Sequence, residues 1–301
     1  MALSGLTPLS VIGMASPFVV LVTGAGGQLG QELVRLPKQP DVRLVGLDRR
    51  SLDVTDRQAC MQAIASVRPN AVIHAAAYTA VDRAESEPDA ARLVNVEGVR
   101  FMAEAAESVG AKFVYVSTDY VFDGQNRDNR PYREDDPTGP RSVYGHTKLA
   151  GEQTALTACS RLFVVRTSWV YGAYGANFVK TMLKLARTGQ PLRVVDDQVG
   201  SPTYTYDLAR ALMLLVRTEQ YGVYHAVGGG SCSWYHFART IFELCEMDVQ
   251  VSRCATEDYP RPAPRPAYSV LGCEALRRAG IAPLRHWREA LAAYLLEHEG
   301  C

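Results

Sequence analysis

The chain has 301 residues, of which 47% are hydrophobic and 21% are charged, as is usual for a soluble globular protein. Its 32 basic residues equal its 32 acidic residues and no basic run stands out, so neither nucleic acid nor an anionic membrane surface is expected as a partner. No segment approaches about 18 consecutive apolar residues, so no membrane-spanning helix is expected.

The seven cysteines are scattered, odd in number and form no C-x-x-C pair. This pattern predicts free thiols in a reducing cytoplasm rather than a disulfide framework or a zinc site. Residues 1–17 lack the basic start and long apolar core of a signal peptide, so we expect a disordered extension, with Met14 as an alternative natural start.

The first half of the chain alternates short apolar runs with helical stretches. Strands are predicted at 18–23, 43–48, 71–76, 112–118 and 161–168, with helices between them at 28–36, 57–67 and roughly 88–109. Near-continuous apolar strands separated by helices are typical of a parallel sheet covered on both faces. The sequence therefore predicts an α/β fold with a Rossmann-type doubly wound parallel sheet.

The second half is less regular. Residues 123–142 are rich in Pro, Gly and Asp, which predicts an exposed loop leading into a helix that carries residues 144–153. Beyond residue 177 the pattern loosens, until a final helix is predicted at about 286–298. We expect a mainly NAD(P)-binding domain at 18–170 and a smaller, mainly substrate-binding part at 171–301.

The turn after the first strand reads TGAGGQLG at residues 23–30. Glycines let the backbone turn tightly and approach a pyrophosphate, and the N-terminus of the following helix favours negative charge. A tight strand-to-helix turn alone would also explain the glycines, but the position between a strand and a helix favours a coenzyme site. The residues assigned to it are Gly24, Gly27, Gln28, Leu29 and Gly30.

The end of the second strand bears on the choice of coenzyme. Asp48 lies where a carboxylate can bond the ribose hydroxyls, whereas Arg49, which follows it, could hold a 2′-phosphate. NADH and NADPH therefore both stay open. Asp53 and Val54 are expected near the adenine, and the coenzyme site also includes the run Ala75, Ala76 and Ala77 around the end of the third predicted strand.

Three side chains form a candidate catalytic set. Tyr144 and Lys148 are four residues apart and share one helix face. A lysine ammonium stabilises a phenolate and brings the pKa of the tyrosine, ordinarily about 10, towards neutrality. Thr118 closes a strand, where its hydroxyl can bond a substrate oxygen. An amphipathic helix face would explain Tyr144 and Lys148 alone, but their order after the glycine turn favours catalysis and, with the turn, a contact with the coenzyme.

Several blocks together resemble the dTDP-4-dehydrorhamnose reductase family, within the extended short-chain dehydrogenases. They are TGAGGQLG (23–30), HAAAYTAVDRAESEP (74–88), LVNVEGV (93–99), VSTDYVFDG (116–124), YGHTKLAGEQ (144–153), RTSWVYG (166–172), DDQVGSPT (196–203) and RPAYSVL (265–271). The resemblance covers nearly the whole chain from Phe18 and implies that Thr118, Tyr144 and Lys148 are catalytic, with Asn95 helping to position the lysine through water.

The resemblance also implies a substrate site for a dTDP-sugar. Its residues are Thr118, Asp119, Tyr120, Trp169, Asn177, Gln198 and Arg265. An indole such as that of Trp169 can pack against a deoxysugar, although a core aromatic is nearly as good an explanation. Arg265 could meet the diphosphate in a charge-assisted pair, or could be an exposed loop arginine.

The implied reaction is reduction by NADPH or NADH of the C4 keto group of dTDP-4-dehydro-β-L-rhamnose, in deoxysugar and polysaccharide biosynthesis. Two alternatives stay open: a reductase of another dTDP-4-keto-hexose, and a non-catalytic NADP-binding regulatory subunit like the β subunit of methionine adenosyltransferase. Some family members are homodimers that hold Mg²⁺ between subunits. Glu32 matches one acidic position, but Tyr206 stands at another, so no metal is predicted here.

Overall fold

The computed structural model describes residues 16–125, 128 and 130–301, so Met14 and almost all of the predicted extension at 1–17 lie outside the described residues. The strands are β1 (Phe18–Thr23), β2 (Val42–Leu47), β3 (Ala71–His74), β4 (Lys112–Thr118), β5 (Leu162–Thr167), β6 (Val170–Tyr171), β7 (Leu192–Val195), β8 (Val199–Gly200), β9 (Thr203–Tyr204), β10 (Gly222–His225), β11 (Cys232–Ser233) and β12 (Val251–Cys254).

The α-helices are α1 (Gln28–Arg35), α2 (Arg57–Val67), α3 (Val81–Ala84), α4 (Pro88–Arg92), α5 (Gly98–Ser108), α6 (Val143–Ala158), α7 (Phe178–Ala186), α8 (Thr205–Leu215), α9 (Trp234–Leu244), α10 (Glu274–Arg278) and α11 (Trp287–His298). Within the described ranges, no helix combines the length and the apolar character needed to cross a membrane.

Within these ranges, six parallel strands form the central sheet in the order β10-β5-β4-β3-β1-β2. The chain leaves β2 at one edge and crosses β1 to enter β3, so the connections after β1 and β3 depart in opposite directions. Such a switch point opens a crevice at the carboxyl ends of the strands, where ligands bind in this class of fold. The predicted Rossmann-type sheet is confirmed.

Both faces of the sheet are buried because alternate strand residues point to opposite sides. Val20 and Val22 pack on one face with α1 and α8, whereas Leu21 and Val72 pack on the other with α2, α5 and α6. Two covered faces explain why the strands read as continuous apolar runs. Since α8 and β10 both lie beyond residue 170, part of the second half of the chain completes the sheet.

A separate core holds the remaining C-terminal elements. It gathers the apolar faces of α7, α9 and α11 around Tyr171, whose ring centre lies 5.5 Å from those of Phe237 and Tyr294. Strands β7 and β12 pair in parallel beside it. Strands β6 and β9 pair with each other and connect this part to the sheet. In the chain, β6 follows β5 and β9 precedes α8. The division at residue 170 stays a prediction.

Three local expectations differ from the structure. The third strand ends at His74 rather than at residue 76, which frees the following alanines for the crevice. The helix predicted at 88–109 is interrupted by a π-helical turn, Leu93–Glu97, between α4 and α5. The loop at 123–142 is not wholly exposed, because Tyr132 is buried, stacks on Phe122 at 4.3 Å and donates a hydrogen bond to Asp123.

The prediction that all cysteines are free thiols is wrong for one pair. Cys245 and Cys301 form a disulfide, with their Cα atoms 4.7 Å apart. Cys245 follows α9 and Cys301 follows α11, and the packing of these two helices brings the cysteines together. The other five cysteines, all within the described residues, are buried and free.

Candidate active site

The glycine turn closes tightly against the loop after β3. Gly24 has a φ of +64°, and a Cβ on it would lie 2.7 Å from the backbone nitrogen of Ala76, so this position requires glycine. Gly27 is the N-cap of α1, and its N–H donates to the Gly24 carbonyl at 2.8 Å. A Cβ on Gly30, in the first turn of α1, would lie 2.1 Å from the same carbonyl oxygen. The turn presents the N-terminus of α1 to the crevice, an arrangement that fits a pyrophosphate.

The two residues after β2 are placed differently. The Asp48 carboxylate accepts hydrogen bonds from the Arg50 N–H at 3.1 Å and from the Ser51 N–H and hydroxyl at 2.9 and 2.7 Å. The Ser51 hydroxyl bond is the main cause that holds the pKa of Asp48 below its usual value. All three bonds go to one oxygen of the Asp48 carboxylate, and the second oxygen is not held in this turn. Arg49 lines the cleft, whereas Asp48 does not.

The crevice widens into a cleft of about 1200 Å³. That volume exceeds the roughly 300–1,000 Å³ typical of a site for one small ligand, so a coenzyme and a second molecule fit side by side. Of the predicted coenzyme residues, the cleft is lined by Gly24, Gly27, Gln28, Leu29, Arg49, Asp53, Val54, Ala75, Ala76, Ala77, Tyr144 and Lys148. Gly30 lies behind this wall, consistent with a packing role.

Thr118 and Tyr144 meet at the carboxyl end of β4. Thr118 is the last residue of that strand, and Tyr144 lies in the first turn of α6, whose N-terminus is capped by the Ser142 hydroxyl. Burial raises the pKa of Tyr144 to about 12, and a hydrogen bond with Thr118 offsets part of that rise. The phenol therefore holds its proton at neutral pH and can act as a proton donor.

Lys148 is deeply buried one turn further along α6. Its ammonium donates to the Val116 carbonyl at 2.7 Å and lies 4.1 Å from the centre of the Tyr115 ring. Burial lowers the pKa of Lys148 to about 7, and the nearby Glu152 opposes this shift. The expected ammonium next to Tyr144 is therefore a group that exchanges its proton near neutral pH.

Asn95 lies at 1% exposure in the π-helical turn. Its side chain accepts from the Tyr78 N–H at 2.8 Å and donates to the Tyr78 carbonyl at 3.1 Å and to the Thr147 hydroxyl at 3.0 Å. The amide thus ties the loop after β3 to α6, directly beside Lys148. The help to the lysine through water stays a prediction, and a π-helical turn at such a place is common in functional sites.

Asp119 and Tyr120 continue from Thr118 into the cleft. The Thr118 hydroxyl donates to one Asp119 oxygen at 3.0 Å, and the ring of Tyr120 meets that of Tyr144 edge-on at 5.5 Å. Asp119 is 3% exposed, and burial raises its pKa to about 6, with Ser269 and Thr118 opposing the rise. Because Asp119 lines the cleft, its carboxyl group can accept a hydrogen bond from a hydroxyl of a ligand.

Trp169 lies at the substrate end of the cleft with a φ of +46°, a rare conformation for a bulky residue. Its indole stacks on that of Trp234 with ring centres 3.5 Å apart, and Gly200 packs so closely that a Cβ there would lie 2.5 Å from the indole. One indole face is therefore taken by Trp234. Trp169 is therefore both packed against another aromatic residue, as a core aromatic would be, and part of the cleft wall, as a sugar contact requires.

Two comparisons with known proteins identify the family. A family model described as the RmlD substrate binding domain matches residues 18–299. A dTDP-4-dehydrorhamnose reductase of Streptomyces griseus is 47% identical over 278 residues, covering 90% of this chain and 91% of the relative. A probable dTDP-4,6-dihydroxy-2-methyloxan-3-one 4-ketoreductase of Streptomyces antibioticus is 46% identical over 274 residues, with 90% and 92% covered.

A solved structure agrees with both. The crystal structure of a Bacillus anthracis dTDP-4-dehydrorhamnose reductase in complex with NADP superposes with a TM-score of 0.90 at 42% identity, covering 93% of this chain and 99% of that chain. This chain belongs to the dTDP-4-dehydrorhamnose reductase family. The resemblance stated from the sequence blocks is confirmed.

Among the remaining substrate residues predicted for this member of the reductase family, two line the cleft and one does not. Gln198 donates to the Thr256 hydroxyl at 2.9 Å, and Arg265 pairs with Asp82 at 2.9 Å, both in the cleft wall. Asn177 caps α7, and its amide donates to Gln28 and to the Gly172 carbonyl. The structure therefore places Asn177 behind the wall, where it holds Gln28.

The residues expected at the Mg²⁺ position of the reductase family do not fit the ion. Glu32 is 7% exposed and accepts a hydrogen bond from the Thr205 hydroxyl at 2.8 Å, and burial raises the pKa of Glu32. Tyr206 offers a phenol where a carboxylate would be needed. In the part of the chain that the structure describes, no group of three or more acidic, histidine or cysteine side chains could hold a metal.

Sequence reasoning missed several residues of the cleft. Trp234 opens α9, far along the chain from Trp169, and Asp82 lies in α3 after the alanine run. Neither residue belongs to a sequence motif whose spacing indicates a catalytic or binding role. The only signal for Asp82 is its place after β3, since the residues that follow the carboxyl ends of parallel strands face the crevice.

Proposed function

We propose that this protein reduces the C4 keto group of dTDP-4-dehydro-β-L-rhamnose to give dTDP-L-rhamnose, with NADPH or NADH as the reductant. The observation that carries the proposal is that Thr118, Tyr144 and Lys148 line the same cleft as the glycine turn at Gly24. The names of the similar reductases support the substrate class.

The residues of the cleft divide the work between them. The coenzyme, when bound along the glycine turn, supplies a hydride to the keto carbon. Tyr144 donates its phenolic proton to the oxygen that becomes the new hydroxyl, and Thr118 holds that oxygen with its own hydroxyl. Loss of this proton leaves a phenolate on Tyr144. Lys148, whose pKa is about 7, stabilises that phenolate while the lysine is protonated.

NADPH is the coenzyme that the turn after β2 favours. Arg49 lines the cleft and can pair with a 2′-phosphate, whereas Asp48 does not line it and one of its carboxylate oxygens is held by Arg50 and Ser51. The complex of the Bacillus anthracis reductase with NADP supports the same choice. NADH lacks the phosphate but keeps every other contact, so we expect it to work with lower efficiency.

A second candidate keeps the chemistry and changes the sugar. The Streptomyces antibioticus relative is named as a ketoreductase of a different dTDP-linked sugar, so another dTDP-4-keto-hexose is the main alternative substrate. A non-catalytic NADP-binding subunit would not need a proton donor beside the glycine turn, and the protonated Tyr144 favours catalysis over that role.

The assignment of parts is also a proposal. Residues 18–170 hold mainly the coenzyme and residues 171–301 mainly the sugar nucleotide, with Trp169, Gln198 and Arg265 at their junction. We further propose a cytoplasmic location, which the five buried free thiols favour and the Cys245–Cys301 disulfide opposes, and a homodimer, which sedimentation would test. For the site residues, the supporting observation is their place in the cleft wall.

The decisive experiment is an assay with dTDP-4-dehydrorhamnose and each reduced coenzyme. We expect one NADPH oxidised per sugar reduced, dTDP-L-rhamnose as the product by NMR, and no 4-keto product from dTDP-glucose. If purified protein carries NAD⁺ and turns over a sugar nucleotide without added reductant, the reductase proposal is wrong. If it binds NADPH but reduces no dTDP-4-keto sugar, the regulatory alternative is right.

A further inference from the structure

A proline-rich segment forms part of the cleft wall at its substrate end. Residues 259–266, which we call the strap, contribute Tyr259, Arg261, Arg265 and Pro266 to the lining. The chain just after the strap is fixed to β8, since the Val199 N–H donates to the Ala267 carbonyl at 2.8 Å. The strap is therefore anchored on the C-terminal part of the molecule.

The middle of the strap is tied to the opposite side of the cleft by Asp82. One oxygen of this α3 carboxylate accepts from the Arg265 guanidinium at 2.9 Å and from the Ala263 N–H at 3.3 Å. The guanidinium also donates to the Ala263 carbonyl at 3.0 Å. Asp82 thus fixes both the backbone of the strap and the direction of the Arg265 side chain.

The ion pair lies close to the reacting groups. Burial raises the pKa of Tyr120, the positive charge of Arg265 lowers it, and the negative charge of Asp82 raises it. Tyr120 in turn meets Tyr144 at 5.5 Å between ring centres. Arg265 and Tyr120 line the same cleft, so Arg265 lies near the residue whose ring contacts the proposed proton donor Tyr144.

Arg265 keeps donors for a ligand while it is held. A guanidinium has about five N–H groups, and Asp82 and Ala263 use two of them. A long side chain that is already ordered loses less conformational freedom when it binds an anion. A carboxylate nearby also repels an anion, so Asp82 improves the affinity only if its ordering effect outweighs that repulsion.

We propose that Asp82 is a positioning residue that holds Arg265 and the strap ready for the diphosphate of the sugar nucleotide. The inference rests on the proposed function, because it takes a nucleoside diphosphate as the ligand. It assigns to Asp82 no contact with the reacting atoms. Asp82 acts on the diphosphate through Arg265, and its loss should weaken sugar-nucleotide binding while leaving coenzyme binding unchanged.

The test is calorimetric binding of dTDP to the full chain. We expect Asp82→Asn to weaken dTDP binding about tenfold, Arg265→Ala to weaken it by a similar factor, and the double variant to lose little more than either alone. Asp82→Glu, which restores the charge, should recover part of the affinity. Asp89→Asn, an exposed acid on the neighbouring α4, is the matched control and should bind like the wild type.

Steady-state kinetics give a readout that a general structural role would not. In Asp82→Asn we expect KM for the sugar nucleotide to rise about tenfold, with kcat within about twofold of the wild type and KM for NADPH unchanged. If that variant does not fold, Arg265→Lys tests the same point, because it keeps the charge but loses the planar fork that Asp82 orients; we expect weaker dTDP binding.

Several results would overturn the inference. Unchanged or tighter dTDP binding in Asp82→Asn would mean that repulsion outweighs positioning. Fully multiplicative losses in the double variant would mean that the two residues act separately, and an equal loss of NADPH affinity would indicate a general defect. Unchanged dTDP affinity in Arg265→Lys would contradict the role of the fork. If the wild type itself does not bind dTDP, the proposed substrate class is wrong as well.

Discussion

Tyr144 keeps its proton because burial raises its pKa to about 12, and this is the state that a reductase needs before each turnover. Replacing Tyr144 by Phe keeps the ring and removes the proton donor. We expect kcat to fall by at least about a hundredfold, with NADPH affinity unchanged, measured by steady-state kinetics and fluorescence titration. Near-wild-type turnover would remove Tyr144 from proton transfer.

Lys148 links the activity to pH. Its pKa is lowered to about 7 by burial, so the lysine is charged below that pH and loses its charge as the pH rises through it. Because the role proposed for this charge is to stabilise the Tyr144 phenolate, we expect kcat/KM to decline above about pH 7. Lys148→Met should be much less active and should lack this decline, and a variant that keeps the wild-type profile would contradict the assignment.

The buried carboxyl group of Asp119 lowers the free energy of unfolding at neutral pH. Its pKa is raised from 3.8 to about 6 in the folded chain, mainly by burial, so ionisation is harder in the folded than in the unfolded state. As the pH rises from about 4 to about 6 the wild type loses stability that an uncharged residue would keep. We expect Asp119→Asn to be more stable by roughly 1–3 kcal/mol at pH 7.5.

The same variant has a built-in control. Below about pH 4 the carboxyl is protonated in both states, so the advantage of Asp119→Asn in urea unfolding should vanish there. We also expect lower activity, because stability and function often conflict at a buried acid in an active site. An Asn variant that is less stable at pH 7.5 would show that the ionised carboxylate has better partners than Thr118.

The turn between β2 and α2 is the element to which we assign the choice of coenzyme. Arg49 lines the cleft, while Asp48 is engaged with Ser51. We expect Arg49→Ala to lower kcat/KM for NADPH about tenfold and to leave kcat/KM for NADH within about twofold. Arg50→Ala is the matched control, because Arg50 does not line the cleft and the variant keeps the N–H that bonds to Asp48. Equal losses with both coenzymes would show that Arg49 does not meet the 2′-phosphate.

The π-helical turn between α4 and α5 is the element that joins the loop after β3 to α6. It places Asn95 so that one amide meets both Tyr78 and Thr147. A regular helix over residues 88–109 would shift every residue after the bulge around the helix axis by about one position. The apolar period over this stretch predicts a helix but carries no sign of the extra residue.

At the scale of the molecule, the Cys245–Cys301 disulfide ties the last residue to the end of α9. A crosslink that closes a loop of this length stabilises a fold by about 4 kcal/mol in the chain-entropy account. We expect a thiol reductant to lower the melting temperature of the wild type by roughly 5–10 °C, and Cys301→Ser to be insensitive to it.

Cys245→Ser should behave in the same way. The double variant should have the same melting temperature as either single variant. A wild type whose melting temperature is the same with and without reductant would mean that the two thiols are not joined in solution. In that case the free thiols predicted from the sequence would be correct for this pair as well.

Features that depend on neighbours along the chain follow from the amino-acid sequence alone. The buried strands follow from continuous apolar runs, the turn at Gly24 from glycine spacing, and the shared face of Tyr144 and Lys148 from the helical repeat. The blocks around them were enough to indicate the family. These features are local because the backbone geometry that produces them spans only a few residues.

Which distant side chains meet depends on the packing of the folded chain. The stacking of Trp169 on Trp234 and the bond of Asp82 to Arg265 each join segments far apart in the chain, brought together by packing on the sheet edge. The same holds for the engagement of Asp48, whose carboxylate could equally have faced the ribose. The sequence supplies donors and acceptors in excess, and the folded packing fixes which of them remain free to bind a ligand.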